Sequence, residues 1–206
     1  MGGTDEHPIK LRAACPAFGE GIVFARYLDE AAEGFFRLML GKRVEQIIAR
    51  AYTQPAHDLS FQNVTFAERN DLIVGMVSGY TAEQHRSSSR TPLKQAAGKN
   101  NIRMRIVLAL FAPLMRIIDS ITDGDFYLQA IAVEKEQRGS GIGSVLADSI
   151  EKQARLRGST RLALDVSSSN VGAFRFYRSR GMTITSRWPR QVKIPILKFY
   201  RLTKPL

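Results

Sequence analysis

Residues 130–144 read Ala130-Ile131-Ala132-Val133-Glu134-Lys135-Glu136-Gln137-Arg138-Gly139-Ser140-Gly141-Ile142-Gly143-Ser144, and the change of pattern along them decides the fold. Upstream, Phe126 to Val133 is a nearly continuous apolar run, as expected of a central strand. The polar turn Glu134-Lys135-Glu136 follows. Then come three alternating glycines, and beyond them Ile142, Leu146, Ile150 and Ala154 repeat every four residues. That spacing predicts a helix from about Ile142 to Arg157, stopped by Gly158. Glycine lets a backbone approach a ligand closely, several N–H groups converge where a helix begins, and the positive end of the helix dipole points to the same place. An anion belongs there.

The spacing excludes some phosphate loops. A G-x-x-x-x-G-K-[ST] loop needs a lysine after its last glycine, and none follows Gly143. A dinucleotide fingerprint needs G-x-G-x-x-G, whereas Gly139, Gly141 and Gly143 give G-x-G-x-G. Asp165 does stand at the end of the next strand, where a ribose-binding acid would be. The dinucleotide reading stays open, weakened because the loop lies too late in the chain to leave room for the remaining βα units of a doubly wound sheet. A plain tight turn is the bland alternative.

Downstream, Leu162, Leu164 and Val166 alternate with Arg161, Ala163 and Asp165 in another strand. A helix is predicted from near Asn170, which with Ser169 can cap it, to Gly181. Two last strands are read at Met182 to Trp188 and Ile196 to Leu202. Within this half, Gln137-Arg138-Gly139-Ser140-Gly141-Ile142-Gly143 resembles the Q/R-x-x-G-x-G/A coenzyme A loop of the GNAT superfamily of N-acetyltransferases. Asn170-Val171-Gly172-Ala173-Phe174-Arg175-Phe176-Tyr177-Arg178-Ser179-Arg180-Gly181-Met182 resembles that family's next motif, N-x-x-A-x-x-x-Y-x-x-x-G-F, with Met182 where Phe is usual. Two motifs in order and at the expected separation are more specific than either alone.

The resemblance implies a function and a set of residues. It implies transfer of an acetyl or short acyl group from acyl-coenzyme A to a primary amine, by direct attack in a ternary complex, with acetyl-CoA as cofactor. Main-chain amides from Arg138, Gly139, Ser140, Gly141, Ile142, Gly143 and Ser144 would hold the pyrophosphate. Ile131, Ala132 and Val133 would present the strand that pairs with the pantetheine arm, and an amide near Val133 would polarise the thioester carbonyl. Asn170 and Ala173 would contact the pantetheine. Tyr177 would be the general acid toward the leaving thiolate, although a packed helix tyrosine is the plain alternative. Asp125 falls where some family members place a catalytic carboxylate, with Tyr127 and Gln129 on the same face by the two-residue period; an aspartate beside Gly124 is equally a turn residue. A catalytically idle acyl-CoA-binding regulatory module is the rival from another class.

The implied fold class is α/β (α+β), a mixed, mostly antiparallel central sheet flanked by helices, and the rest of the chain follows that order. Ile9 to Ala14 alternates as a strand. Phe18 to Leu40 and Val44 to Tyr52 carry helical spacing, broken by Gly41 and ended by Pro55. Leu59 to Ala67 and Leu72 to Tyr80 read as a hairpin around Glu68-Arg69-Asn70-Asp71. A helical insert at about 83–119 then precedes the central strand, where the family has a short connection. Its run from Ile102 to Ile118 is apolar on nearly every face, which predicts a buried helix kinked by Pro113; a lid, a dimer face or an in-plane membrane helix are the other readings.

Composition sets the outer bounds. The 206 residues fit one N-acetyltransferase domain, 1–206, with no run long enough to span a bilayer and no leader pattern at the N-terminus. A soluble, cytoplasmic protein is expected. Cys15 is the only cysteine, so no intrachain disulfide forms, and beside Pro16 it reads as a small buried hydrophobe. His7, His57 and His85 lack metal-ligand spacing and read as solvated or core residues; no metal is expected. The net charge is +11, and from Ile150 onward thirteen Lys and Arg face only Glu151 and Asp165, which is the whole excess. A polyanion should therefore bind the C-terminal part. Coenzyme A satisfies that, so a nucleic-acid partner is possible but not required; the acceptor is a small-molecule or peptide amine, and a homodimer is possible.

Overall fold

The computed structural model describes residues 8–112, 120–188 and 198–206. His7, the expected kink at Pro113 with Arg116 and the apolar run to Ile118, and the start of the strand expected from Ile196 lie outside them. In chain order the elements are β1 (Lys10–Ala13), α1 (Phe18–Ala31), α2 (Phe35–Leu40), α3 (Val44–Tyr52), β2 (Val64–Arg69), β3 (Leu72–Thr81), α4 (Ala82–Ser87), α5 (Thr91–Ala97), α6 (Asn101–Leu110), β4 (Asp125–Val133), α7 (Ile142–Leu156), β5 (Arg161–Ser167), α8 (Val171–Ser179), β6 (Thr183–Trp188) and β7 (Phe199–Pro205). The strands form one seven-stranded sheet in the order β1-β2-β3-β4-β5-β7-β6. Every junction is antiparallel except β4 with β5.

Apolar periodicity explains the layers. On α7 the four-residue repeat puts Ile142, Leu146, Ile150 and Ala154 into one buried stripe, which packs with Val74, Val77, Phe126 and Leu128 on one face of the sheet. On the other face, Phe24 and Leu28 of α1 and Ile47 and Ile48 of α3 cover Phe66, Met76, Ala130 and Ala132. Each face of the central strands is thus buried, which is why β4 reads as a continuous apolar run. The β2–β3 hairpin turns on Asn70 and Asp71, both at positive φ (52° and 60°), as a two-residue turn of the kind that matches strand twist requires.

Some boundaries differ from expectation. The helical pattern from Phe18 to Leu40 is cut in two because Glu33 and Gly34 both take positive φ, which no helix tolerates. Residues Phe61–Asn63 form a short 3-10 turn capped by Ser60, so β2 starts at Val64. β6 begins one residue late, and β7 runs Phe199–Pro205 rather than ending at Leu202. Cys15 is exposed, not buried, since the chain has left β1 at Ala13; its main chain there is held by Ala14 N–H to Val64 O and Cys15 N–H to the Glu20 carboxylate, with the thiol outward. The helix expected to be buried all round is buried on one stripe only: α6 packs Met104 and Val107 inward and leaves Ile102, Ile106 and Leu110 exposed, because it lies on α2 at the surface.

Candidate active site

Two features of β4 open the site. Its parallel pairing with β5 lasts only from Asp125↔Arg161 to Tyr127↔Ala163; beyond that, β4 is held by β3 and β5 by β7. The strands part, and β4 gains an unpaired edge inside the protein. Second, the register with β3 jumps between Ser78↔Ala130 and Gly79↔Leu128, leaving Gln129 as an extra residue. Such a bulge reverses which side chains face which side. Phe126 and Leu128 face α7 before it, whereas Ile131 and Val133 do so after it. The Gln129 side chain is within 3.1 Å of Ser78 Oγ.

The direction of the β4 main chain follows from one hydrogen bond. Glu134 N–H donates to Val74 O at 2.8 Å, and by the alternation of antiparallel pairs Ala132 also turns its amide and carbonyl to β3. Ile131 and Val133 therefore turn theirs to the open edge. The Val133 carbonyl does so visibly, accepting from Arg138 Nε at 3.1 Å. Ala132 is corrected accordingly: its main chain is spent on β3 and its side chain sits in the α1–α3 core.

Immediately after β4, Gly139 and Gly141 take φ of 83° and 87°, and both are exposed. Among the described residues, the amides of Gly139, Gly141, Ile142 and Gly143 have no acceptor. The other three expected amides are engaged within the loop itself, Arg138 with Lys135 O, Ser140 with Gln137 O and Ser144 with Gly141 O. The stretch of free amides is thus narrower than the seven-residue run, and it lies over the start of α7, where the dipole is positive. Ile142 anchors it by burying its side chain. The Arg138 guanidinium, tied to Val133 O and paired with Glu30, holds the loop against α1 rather than reaching over it. Gln137, for its part, accepts from Arg69 at 2.7 Å.

The opened strands lead into a cavity of about 890 Å³. Asn170, Ala173 and Tyr177 line it from α8. Asn170 caps α8, its Oδ1 accepting from Ala173 N–H at 3.0 Å, as the cap reading expected. The Tyr177 hydroxyl makes no hydrogen bond to a described residue, and burial pushes its pKa well up. It therefore stays protonated, as a donor must.

Asp125 is not brought to the cavity. Its carboxylate, 2% exposed, receives two hydrogen bonds from Arg161 (2.6 and 3.1 Å) and one from Thr122 N–H (3.2 Å) at the closed end of the β4–β5 pair. It is a clamp, and a carboxylate so occupied cannot also collect a proton from a substrate; the base assignment is withdrawn. Asp165 is likewise committed, to Arg201 at 2.7 Å twice and to the Tyr127 hydroxyl at 3.1 Å. That removes the ribose-binding acid, and an antiparallel sheet removes the doubly wound fold, so the dinucleotide reading falls.

The sequence did not point to the opposite wall. Glu33, His57, Asp58 and His85 all line the cavity. Glu33 reaches Ser169 Oγ at 3.1 Å. His57 is a core residue as expected: Nε2 donates to Ala51 O at 2.8 Å, Nδ1 accepts from Leu59 N–H at 3.2 Å, and burial lowers its pKa. His85 Nδ1 lies 2.9 Å from Asp58 Oδ2. A His and an Asp separated by a hairpin carry no local spacing signal. The insert supplies the rest of this wall, with Leu93, Met104 and Leu108 apolar and Arg86, Arg90 and Lys94 cationic.

A run of free amides where α7 begins, an open edge on β4 and a tyrosine in the cavity beside that edge are the features the sequence resemblance implies. Residues 28–182 match the acetyltransferase (GNAT) family, and the chain belongs to that family. No curated protein matches it. Among solved structures it is similar to an N-acetyltransferase from Staphylococcus aureus Mu50 (15% identity, 95% of this chain and 100% of that one, TM-score 0.65) and to an acetyltransferase (21%, 95% and 98%, 0.64). It is also similar to the ribosomal-protein-S18-alanine N-acetyltransferase of Escherichia coli (13%, 96% and 94%, 0.53). At these identities the likeness is one of fold.

Proposed function

We propose that the chain is an N-acyltransferase moving an acetyl or short acyl group from acyl-CoA to a primary amine by direct attack within a ternary complex. The observation that carries this is the open β4 edge at Ile131 facing the cavity that Tyr177 lines, with the free amides of Gly139 and Gly141–Gly143 on the loop that follows β4. Those amides hold the donor's diphosphate. The main-chain groups of Ile131 and Val133 pair with its pantetheine arm as an added strand, and the amide at the open edge near Val133 faces the thioester carbonyl, where it stabilises developing negative charge. Asn170 and Ala173 border the arm. The donor contributes the activated acyl group.

Tyr177 supplies the proton for the leaving sulfur. A thiol has an ordinary pKa near 8.5, below that of this buried phenol, so full transfer ahead of bond cleavage is uphill. The phenol must therefore hydrogen-bond to charge as it develops on sulfur, in concert with C–S cleavage. The acceptor amine enters from the wall formed by α2, α5 and α6.

Tyr177→Phe tests the reading in an assay of free-thiol release from acetyl-CoA against amines, amino acids, peptides and aminoacyl-tRNA. The expected result is a kcat lower by about 100-fold, the usual scale for a general acid, with coenzyme A binding retained. A wild-type chain that binds coenzyme A yet releases no thiol with any acceptor would instead be an idle binding module.

A further inference from the structure

Four of the nine large apolar side chains exposed among the described residues belong to one pair of helices, Leu38 on α2 and Ile102, Ile106 and Leu110 on α6. Single exposed apolar residues are ordinary, whereas a contiguous row marks a surface that meets something. The three on α6 are exposed by 71%, 57% and 73%, and their spacing of four puts them on one side of the helix. At about 100° per residue, Arg103 and Arg105 fall on the two edges of that row, and Met104 and Val107 on the opposite, buried side. α2 is bound into the same face: Arg103 Nε donates to Leu38 O and Asn100 Nδ2 to Leu40 O, each at 2.9 Å. The turn Gly41–Arg43 that follows α2 lies beside Arg103 and brings exposed Lys42 and Arg43 to the rim, while exposed Lys99 stands just before α6. Residues 84–112 hold six Lys and Arg and no Asp or Glu.

We propose that this face of α2 and α6 docks on the surface of an anionic lipid bilayer. An apolar row with basic edges is the pattern of a helix lying in the plane of the interface, its aliphatic side chains among the acyl chains and its arginines at the headgroups. Among the described residues no helix is long and apolar enough to cross a membrane, so the contact is with one leaflet. Charge decides against a second copy of the chain. In a two-fold dimer the patch meets itself, and Lys99, Arg103 and Arg105 of one copy would face cations of the other. Shape decides against a peptide helix, which is taken up in a groove with apolar walls; this row is a ridge on a surface helix.

The place of the face in the fold gives the docking a use. α6 is a wall one helix thick: Met104 and Leu108 line the cavity from its inner side, and Ile102, Ile106 and Leu110 stand on its outer side. Docking sets the acceptor's side of the cavity against the bilayer, next to amines that assemble at a membrane surface. The docking itself is independent of the acyl-transfer chemistry and of Tyr177.

The full chain is tested by co-sedimentation with vesicles of phosphatidylcholine alone and of an equimolar mixture with phosphatidylserine, at low and at high salt. Binding to the anionic vesicles is expected to be tighter by about tenfold or more and to weaken as salt rises. Replacing Ile102→Ser and Ile106→Ser together is expected to weaken it by about tenfold or more, through lost apolar insertion. Arg105→Gln is expected to weaken it by about fivefold, the share of one basic side chain at a charged surface. Lys152→Gln removes the same charge from the exposed side of α7 and is expected to change binding by less than about twofold. All these positions are exposed, so melting temperatures should hold. Equal losses from Lys152→Gln and Arg105→Gln would overturn the proposal, since the attraction would then belong to the basic chain as a whole. Equal binding to both kinds of vesicle, or binding to neither, would do the same. A dimer in sedimentation velocity that the two serines dissolve, without vesicle binding, would put a second copy on this face instead.

Discussion

Two glycines, two residues apart, are expected to respond in opposite ways to the same added methyl group. Gly141 has φ 87° and ψ −8°, left-handed backbone in which an L-residue costs about 1 kcal/mol or more. An alanine Cβ there would meet no protein atom within 4 Å, so the fold is penalised by backbone strain alone. For a domain of this size, about 1 kcal/mol corresponds to a melting temperature lower by roughly 2–4 °C. The methyl group would project beside the open amides, where the diphosphate has to approach, and a loss of about tenfold or more in coenzyme A affinity, about 1.4 kcal/mol, is expected. Gly143 lies inside the first turn of α7, and its added Cβ would touch Phe176 and Val133 at 3.8–3.9 Å, ordinary contact. There alanine should add helix propensity of up to about 1 kcal/mol, raise the melting temperature, and leave coenzyme A affinity within about threefold. Differential scanning fluorimetry and calorimetric titration with coenzyme A read both quantities. If Gly141→Ala bound coenzyme A as tightly as wild type, the placing of the anion at this loop would be wrong.

Two further outcomes follow from the buried polar groups. Asp125→Asn leaves Arg161 without its anion; because the Arg161 side chain is 39% exposed, the cost should be about 2 kcal/mol rather than the full value for a buried pair. It is seen as a lower melting temperature, with kcat at a permissive temperature within about threefold of wild type; a loss of kcat by 100-fold with unchanged melting would restore Asp125 to the chemistry. His57 is held neutral by Leu59 N–H on Nδ1, and burial lowers its pKa in the fold. Its contribution is present above the unfolded value of about 6.5 and is lost as pH falls below it, since the unfolded chain then binds the extra proton. Thermal melts from pH 7.5 to pH 5 should show this decline, and His57→Gln should flatten it.

Much of the scaffold was legible because its signals are local. The four-residue repeat of Ile142, Leu146, Ile150 and Ala154, the apolar run of β4, and the alternation of β5 each depend on a few neighbouring side chains. The glycine loop and the Asn170–Tyr177 stretch were readable for the same reason: backbone conformation and capping are set within a turn or two. The break at Glu33 and Gly34 was missed because apolar spacing continues across it, and the exposed stripe on α6 because nothing in its own residues says which neighbour covers which face.

By itself the sequence determined the strand, glycine turn and helix start that are proposed to seat an anion, the position of Tyr177 on the next helix, and the succession of elements around them. Tertiary structure alone decided what the polar residues do. It parted β4 from β5, spent Asp125 on Arg161 and Asp165 on Arg201, and set Asp58 of the loop before β2 beside His85 of α4. It also redistributed charge: Arg161 and Arg180, part of the C-terminal excess, pair with Asp125 and Asp148 from the balanced first part of the chain. The reason is physical. Local conformation depends on neighbours along the chain, whereas the protonation and partners of a buried group depend on what the fold brings within about 4 Å of it, and residues far apart in sequence carry no mark of that meeting.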